Sequence, residues 1–164
     1  MVDTLNFTAA MIGVSTVAHT IASLLIQPQM GALADCWGNR KVVIIFMLLI
    51  PIIPLLWGLW INQYWQVILV ETVAGFFWGA FSLVTFNNLL RQTPPSQRAR
   101  FSAFHQIVIT FSLSFGAAIG SLLIALIEFR GLTIISAVGR WIAAFFFIYY
   151  VKEVDYTYSL KAQQ

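Results

Sequence analysis

Five long apolar runs, separated by short polar segments, are the feature that most constrains this chain of 164 residues. A helix needs about 20 apolar residues to cross the hydrocarbon core of a bilayer. Because lipid offers no partner to exposed backbone groups, each run is predicted to be a helix. The predicted spans are residues 7–28, 42–61, 66–90, 101–127 and 131–151, followed by a polar tail over residues 152–164. We therefore predict an all-α, polytopic bundle of five transmembrane helices, forming one domain over residues 1–164.

The composition argues against a water-soluble protein. Hydrophobic residues make up 60% of the chain and charged residues only 9%, whereas soluble domains average about 25% charged residues. The basic residues are few and lie at helix ends, so no nucleic-acid-binding face is predicted. The single cysteine, Cys36, allows no internal disulfide and gives no metal-ligand spacing. The expected surroundings are lipid, and no metal or cofactor is predicted.

Alternate loops divide the basic residues unequally, and this division predicts the orientation of the chain. Seven of the nine lie on one side: Arg40, Lys41, Arg91, Arg98, Arg100, Lys152 and Lys161. The opposite side holds Arg130, and Arg140 lies inside the last span. Loops rich in Lys and Arg remain in the cytoplasm. The N-terminus is therefore predicted outside and the C-terminus in the cytoplasm.

A short segment between the first two spans, GALADCWGNRK over residues 31–41, combines two glycines, an acid and a basic pair. It resembles the G-x-L-A-D-x-x-G-x-[RK]-[RK] loop, motif A, of major facilitator superfamily transporters. Glycine permits a positive φ in a tight turn and close helix approach, and an acid is stabilised at a helix N-terminus. The candidate residues of this cytoplasmic loop are Gly31, Asp35, Gly38, Arg40 and Lys41. The resemblance implies that Asp35 docks at the start of the 101–127 helix.

The resemblance extends over nearly the whole chain. Further matching segments are GFFWGAFSL at 75–83, NNLL at 87–90, PP at 94–95 and RAR at 98–100. They are similar to helices ten and eleven of many prokaryotic facilitators, which implies the plasma (inner) membrane of a prokaryote. The resemblance implies helices eight to twelve, that is, the C-terminal half without its first helix. The register of helices two to six is the alternative. Cys36 and Asn39 stand where family members often carry Arg, which weakens the implied charge network of the loop.

The resemblance implies transport of a small-molecule solute by alternating access, with this chain as a fragment or truncated half. Its partner would be the missing N-terminal half of the same transporter. One alternative function is a non-transporting membrane bundle that acts as an interaction or assembly partner. A membrane enzyme is the other alternative, but the sequence shows no paired carboxylates, no H-E-x-x-H motif and no serine elbow. We therefore predict no catalytic residues and no enzyme activity.

Ionisable residues inside the spans are the candidates for a transport site, because charge at membrane depth is costly and usually functional. Arg140 lies near the middle of the last span, and Glu71 lies near the outer end of the third. They are predicted to line a cavity as a pair that binds the substrate or couples transport to protons. Two structural alternatives are an ion pair between them and hydrogen bonds from Arg140 to backbone carbonyls. Three more polar or aromatic residues are candidates for the cavity: His19, Trp78 and Asn87. The alternative for His19 is a packed hydrogen-bond donor, and for Trp78 a lipid-facing or packed ring. The alternatives for Asn87 are a cap against the motif loop and a hydrogen bond across helices.

Two glycine pairs spaced by four residues predict faces for close helix packing. They are Gly75 with Gly79 in the third span and Gly116 with Gly120 in the fourth. Pro51 and Pro54 each remove a backbone hydrogen bond and are predicted to bend the second span.

Overall fold

The computed structural model describes residues 8–124 and 126–151. Over these residues the chain is helical and contains no strand. The elements are α1 (Ala9–Trp37), α2 (Asn39–Leu49), α3 (Ile52–Leu59), α4 (Tyr64–Arg91), a 3-10 turn (Pro95–Gln97), α5 (Arg98–Ile124) and α6 (Phe129–Tyr150). The predicted tail at 152–164 and the N-terminus used for the orientation lie outside the described residues.

Five segments within the described residues are long and apolar enough to cross a membrane. The second of them, Asn39–Leu59, combines α2 and α3, and each of the others contains one long helix. The all-α fold class with five membrane-length helices is therefore confirmed.

The first helix is longer than predicted, and the loop after it is correspondingly shorter. α1 continues through Pro28 and ends at Trp37 instead of residue 28. Residues 29–37 contain mainly strong helix formers, which favour continuation of the helix. The chain reverses at Gly38, whose φ of 88° is the left-handed conformation that glycine tolerates. The predicted turn role of Gly31 is wrong, because Gly31 is helical and the space around it is open.

The second span is interrupted at Pro51, between α2 and α3. Proline has no N–H to donate to the preceding turn, so the helix ends there. The indole Nε1 of Trp141 donates to the Leu48 carbonyl across 3.2 Å, which satisfies one acceptor in the last turn of α2. The contact with α6 thus stabilises the interruption between α2 and α3.

The start of α4 is fixed by reciprocal capping, which moves it two residues ahead of the predicted position 66. The Gln66 side chain accepts from the backbone N–H groups of Asn62 and Gln63, at 2.7 and 2.9 Å. These bonds satisfy donors that a helix N-terminus leaves free. α5 and α6 also begin earlier than predicted, at Arg98 and Phe129 instead of 101 and 131, and end at Ile124 and Tyr150.

The core follows the length of α4. One buried cluster joins α3 to the N-terminal half of α4 through residues such as Ile53, Val67 and Val70. A second cluster joins the C-terminal parts of α1 and α4 to the start of α2 through Ala34, Val42, Val43 and Val84. α6 packs across α2 and α3, whereas α5 contains no buried residue. The packed part of the chain therefore consists of α1–α4 and α6.

Candidate functional site

The close approach of α1 and α4 is produced by glycines. A methyl group placed on Gly75 would overlap the backbone carbonyl of His19, and one on Gly79 would lie 2.8 Å from the Cα of Ser23. Both contacts are too short for a real side chain, so only glycine fits at either position. Gly75 and Gly79 are four residues apart, as are His19 and Ser23, so the two helices meet along matched faces.

One turn before Gly75, the same helix faces bring two ionisable side chains together. Nδ1 of His19 lies 3.0 Å from the Glu71 carboxylate, and both side chains are about one-quarter to one-third exposed. A hydrogen bond between these groups needs one hydrogen, either on Nδ1 or on the carboxyl group. The pair links α1 to α4 beside the glycine contact.

A cavity of about 410 Å³ opens next to this pair and contains a third ionisable group, Arg140. The guanidinium of Arg140 stacks over the Trp78 ring with its central carbon 5.7 Å from the ring centroid. An aromatic face attracts a cation at this distance. The remaining lining is mostly apolar and comes from α3, α4 and α6: Ile53, Pro54, Trp57, Ala74, Phe129 and Thr133.

The structure does not form the predicted Arg140–Glu71 ion pair. Among the described residues, Glu71 pairs with His19, and the salt bridges do not include Arg140. The reason is geometric, since the close contact at Gly75 holds α1 against α4 and places the His19 imidazole beside the Glu71 carboxylate. Arg140 also makes no hydrogen bond to backbone carbonyls of the described residues, which removes that alternative. His19, Glu71, Trp78 and Arg140 nevertheless line one cavity.

A smaller cavity of about 190 Å³ adjoins the first and shares Trp57 and Glu71 with it. Its lining includes the hydroxyl-bearing residues Ser15, Thr16 and Tyr64 near the N-terminal ends of α1 and α4. The Tyr64 hydroxyl donates to the Met11 carbonyl across 2.8 Å and joins the two helix ends. The Glu71 side chain thus lines both cavities.

At the opposite end of the bundle, Asp35 pairs with Arg91. Nη2 of Arg91 donates to the Asp35 carboxylate across 2.5 Å, with both side chains more than half exposed. The predicted partner, the start of the 101–127 helix near Arg98 and Arg100, is wrong. Because α1 continues to Trp37, the acid reaches the C-terminal end of α4 instead of the start of α5.

Arg40 has a contact that the sequence analysis did not predict. Its guanidinium donates to the carbonyls of Val151 and Ile148, at 2.7 and 3.0 Å. These carbonyls belong to the end of α6, where a helix lacks internal donors and favours a positive charge. The neighbouring Lys41 is exposed. The two members of the basic pair therefore have different surroundings.

The other candidates lie apart from the cavity. Asn87 is half-buried on α4, nine residues beyond Trp78, and does not line the cavity. Gly116 and Gly120 have open space beside them, so the structure does not form the predicted packing contact at this pair. α5 makes few contacts with the other described helices, which leaves its glycine face without a partner there.

The sequence contains a signal for the His19–Glu71 pair beyond the spans and the single ionisable residues. Glu71, Gly75 and Gly79 repeat every four residues, and His19 and Ser23 do the same. Small and polar residues in matched repeats on two helices predict an interface. By contrast, Thr133 and Phe129 line the cavity because α6 packs across α3. The sequence gives no signal that predicts this packing.

The comparisons with known proteins agree with this architecture. The family model described as Major Facilitator Superfamily matches residues 1–163, nearly the whole chain. No curated protein and no solved structure matches the chain significantly. The superfamily consists of membrane transporters of small solutes and not of enzymes. With its five membrane-length helices, the chain is an integral membrane protein in contact with bilayer lipid, and it belongs to the major facilitator superfamily.

Proposed function

We propose that this chain forms part of a secondary transporter that moves a small solute by alternating access, with the cavity among α1, α3, α4 and α6 as one wall of the pathway. The observation that supports this function is the convergence of His19, Glu71 and Arg140 on one cavity. Each lies well inside a membrane-length helix; Arg140, for example, is 11 residues, about 16 Å, from the start of α6. Ionisable groups at this depth are costly and mark a solute or proton path.

The proposed partner is the N-terminal half of the same transporter. Transporters of this type carry a midplane site between two repeats that rock against each other. In the proposed register this chain supplies helices eight to twelve, with helices two to six as the alternative. The described cavity is open and not enclosed, and a second half would complete the pathway.

An antibody against residues 91–100 tests the partnership in native membranes. We expect a band well above the 18.4 kDa of this chain, or a band of that size that co-purifies with a second membrane protein. A band at 18.4 kDa with no co-purifying chain would contradict the proposed partnership.

We propose that the Gly38 turn lies on the cytoplasmic side of a prokaryotic plasma (inner) membrane. Arg40, Lys41 and Arg91 lie at this end of the bundle and support the orientation. Cys36 is exposed near the turn and serves as a natural label site. A membrane-impermeant maleimide should react with Cys36 in inside-out vesicles and not in right-side-out vesicles. The reverse pattern would overturn the orientation.

Uptake measurements test the transport function itself. Cells expressing the chain with its complementing half are offered labelled benzoate, glucose, alanine and tetraphenylphosphonium. We expect uptake of at least one solute to exceed that of cells lacking the chain and to fall at least tenfold with Glu71→Ala or Arg140→Gln. Arg130→Gln, which changes an exposed arginine on the same helix, should leave uptake unchanged. Uptake that never exceeds the background, with the chain inserted, would overturn the proposal.

A non-transporting assembly bundle is the second candidate, and the exposed α5 favours it. No residue of this helix is buried, so a large apolar face is available to another membrane protein. The uptake experiment separates the two functions, because an assembly partner would insert normally without raising the uptake of any solute.

A further inference from the structure

The cavity contains a positive charge that the rest of the described site does not neutralise. Arg stays protonated in proteins, and the guanidinium of Arg140 lacks a hydrogen-bond or ion-pair partner among the described residues. The guanidinium lies over the ring of Trp78, which offers no acceptor oxygen. The carboxylate in the cavity lining, that of Glu71, is already within hydrogen-bond distance of His19, at 3.0 Å. The five N–H donors of Arg140 are therefore available to a bound group.

The chemistry of a planar guanidinium limits what that group can be. Its forked donors match the two oxygens of a carboxylate and form paired, charge-assisted bonds with it. A cationic solute would be repelled by Arg140 and would have to compete with His19 for Glu71. A neutral solute would leave a charge at membrane depth uncompensated. Of the three, only an anionic solute neutralises the charge of the guanidinium.

The remaining lining selects for an apolar body attached to the anion. Trp57, Ile53, Pro54 and Phe129 present carbon surface to the cavity, and Thr133 adds one hydroxyl. The Thr133 hydroxyl donates to the Arg130 carbonyl across 2.8 Å and so is already engaged. A volume of about 410 Å³ lies near the lower end of the range for small-molecule sites, roughly 300–1,000 Å³. The occupant is therefore a small molecule with one charged end and a mostly hydrocarbon body.

From these observations we infer that the solute is a small organic carboxylate, whose carboxylate group binds the Arg140 guanidinium while its apolar body packs against Trp78 and Trp57. The inference rests on the proposed transport function and specifies its substrate class. Trp78 has two roles in this arrangement, since it holds the guanidinium by its face and borders the apolar part of the cavity.

A calorimetric titration of the purified chain together with its complementing half in lipid nanodiscs tests the inference. Benzoate and butyrate represent aromatic and aliphatic carboxylates, benzyl alcohol a neutral isostere, and benzylamine a cation, each corrected by titration into empty nanodiscs. We expect one of the carboxylates to bind at least tenfold more tightly than both the alcohol and the amine. Equal binding of carboxylate and alcohol, or no carboxylate binding by a helical, inserted chain, would overturn the inference.

Substitutions test whether the carboxylate binds at Arg140. Arg140→Gln should weaken carboxylate binding at least tenfold, and Arg140→Lys should retain part of the affinity because it keeps the charge without the fork. Trp78→Phe should weaken binding several-fold. Arg130→Gln is the matched control and should bind as the parent chain does. If Arg140→Gln does not insert, Arg140→Lys decides the matter, because unchanged benzoate and butyrate affinities in that variant would overturn the forked contact.

The titration and the uptake assay test the substrate class and the transport function separately. Transport of glucose, alanine or tetraphenylphosphonium without carboxylate binding would overturn the substrate class and leave the transport function standing. Carboxylate binding without uptake of any solute in the complemented cells would overturn the transport function and leave the anion site standing.

Discussion

The two glycine pairs of this chain have the same spacing and different surroundings. Gly75 and Gly79 press α4 against His19 and Ser23 of α1, and the cavity lies beside that contact. Gly116 and Gly120 on α5 have open space beside them, on a helix with no buried residue. Lipid is as apolar as a leucine side chain, so two helices gain by association only where their surfaces fit closely. A glycine pair thus makes close contact possible, but a complementary face on a neighbour is required to form it.

The largest expected contrast comes from adding one methyl group at each pair. Gly75→Ala forces a carbon against the His19 carbonyl and should lower the free energy of unfolding by about 1–3 kcal/mol. Gly116→Ala meets no neighbour and should leave stability unchanged or raise it by up to about 1 kcal/mol, because alanine favours a helix. Unfolding of both variants in mixed micelles by SDS titration gives the two values. Equal losses would refute the difference between the pairs.

Arg40 extends the comparison between the packed helices and α5. It lies on α2 and caps the C-terminal end of α6, whereas α5 has no such cap among the described residues. Arg40→Gln removes the charge that binds the Ile148 and Val151 carbonyls. We expect a loss of about 1–2 kcal/mol in the free energy of unfolding, since two charge-assisted bonds at a helix C-terminus disappear. Lys41→Gln is the matched control at the adjacent exposed position and should change stability by less than about 0.5 kcal/mol. Similar losses from the two variants in the SDS titration would contradict the cap.

The two histidines allow the same comparison with polar side chains. His19→Ala removes the partner of Glu71, and we expect a loss of about 1 kcal/mol, at the low end for bonds to charged groups because both side chains are partly exposed. His105 on α5 has a ring contact with Phe86, at 6.5 Å between centroids, and no hydrogen bond from its side chain within residues 8–124 and 126–151. His105→Ala should therefore cost less than His19→Ala in the same SDS titration. A larger loss in the free energy of unfolding for His105→Ala than for His19→Ala would contradict a stabilising role for the His19–Glu71 contact.

The smallest effect is expected at the exposed pair of Asp35 and Arg91. Both side chains are more than half exposed, and such ion pairs contribute about 0–1 kcal/mol and are screened by salt. Asp35→Asn should therefore lower the free energy of unfolding by less than about 0.5 kcal/mol at low salt and not at all at high salt. A loss above 1 kcal/mol that persists at high salt would show that this pair is a stronger link than its exposure indicates.

The features predicted correctly are those that the bilayer determines directly. Lipid requires helices of a certain length, so the five spans follow from their apolar runs. Gly38 also has the positive φ that the turn requires. The errors concern which helices meet. The sequence predicts a contact of Asp35 with the start of α5 and an ion pair between Arg140 and Glu71. Neither forms, because the order of the spans along the chain does not determine which helix faces are adjacent. The His19–Glu71 contact and the Arg40 cap depend on the packing of separate helices and were not predictable from single residues.

The most direct test of a water-filled solute cavity inside a membrane bundle is cysteine labelling along α6. In a Cys36→Ser background, Arg140→Cys lies on the cavity face at a half-buried position, whereas Val138, two residues away at similar depth, is 45% exposed and lies outside the cavity lining. A charged, water-soluble thiosulfonate should modify Cys at position 140 in the membrane-embedded chain and leave Cys at position 138 unmodified. Modification at 138 with protection at 140, or no modification at either position, would contradict the account.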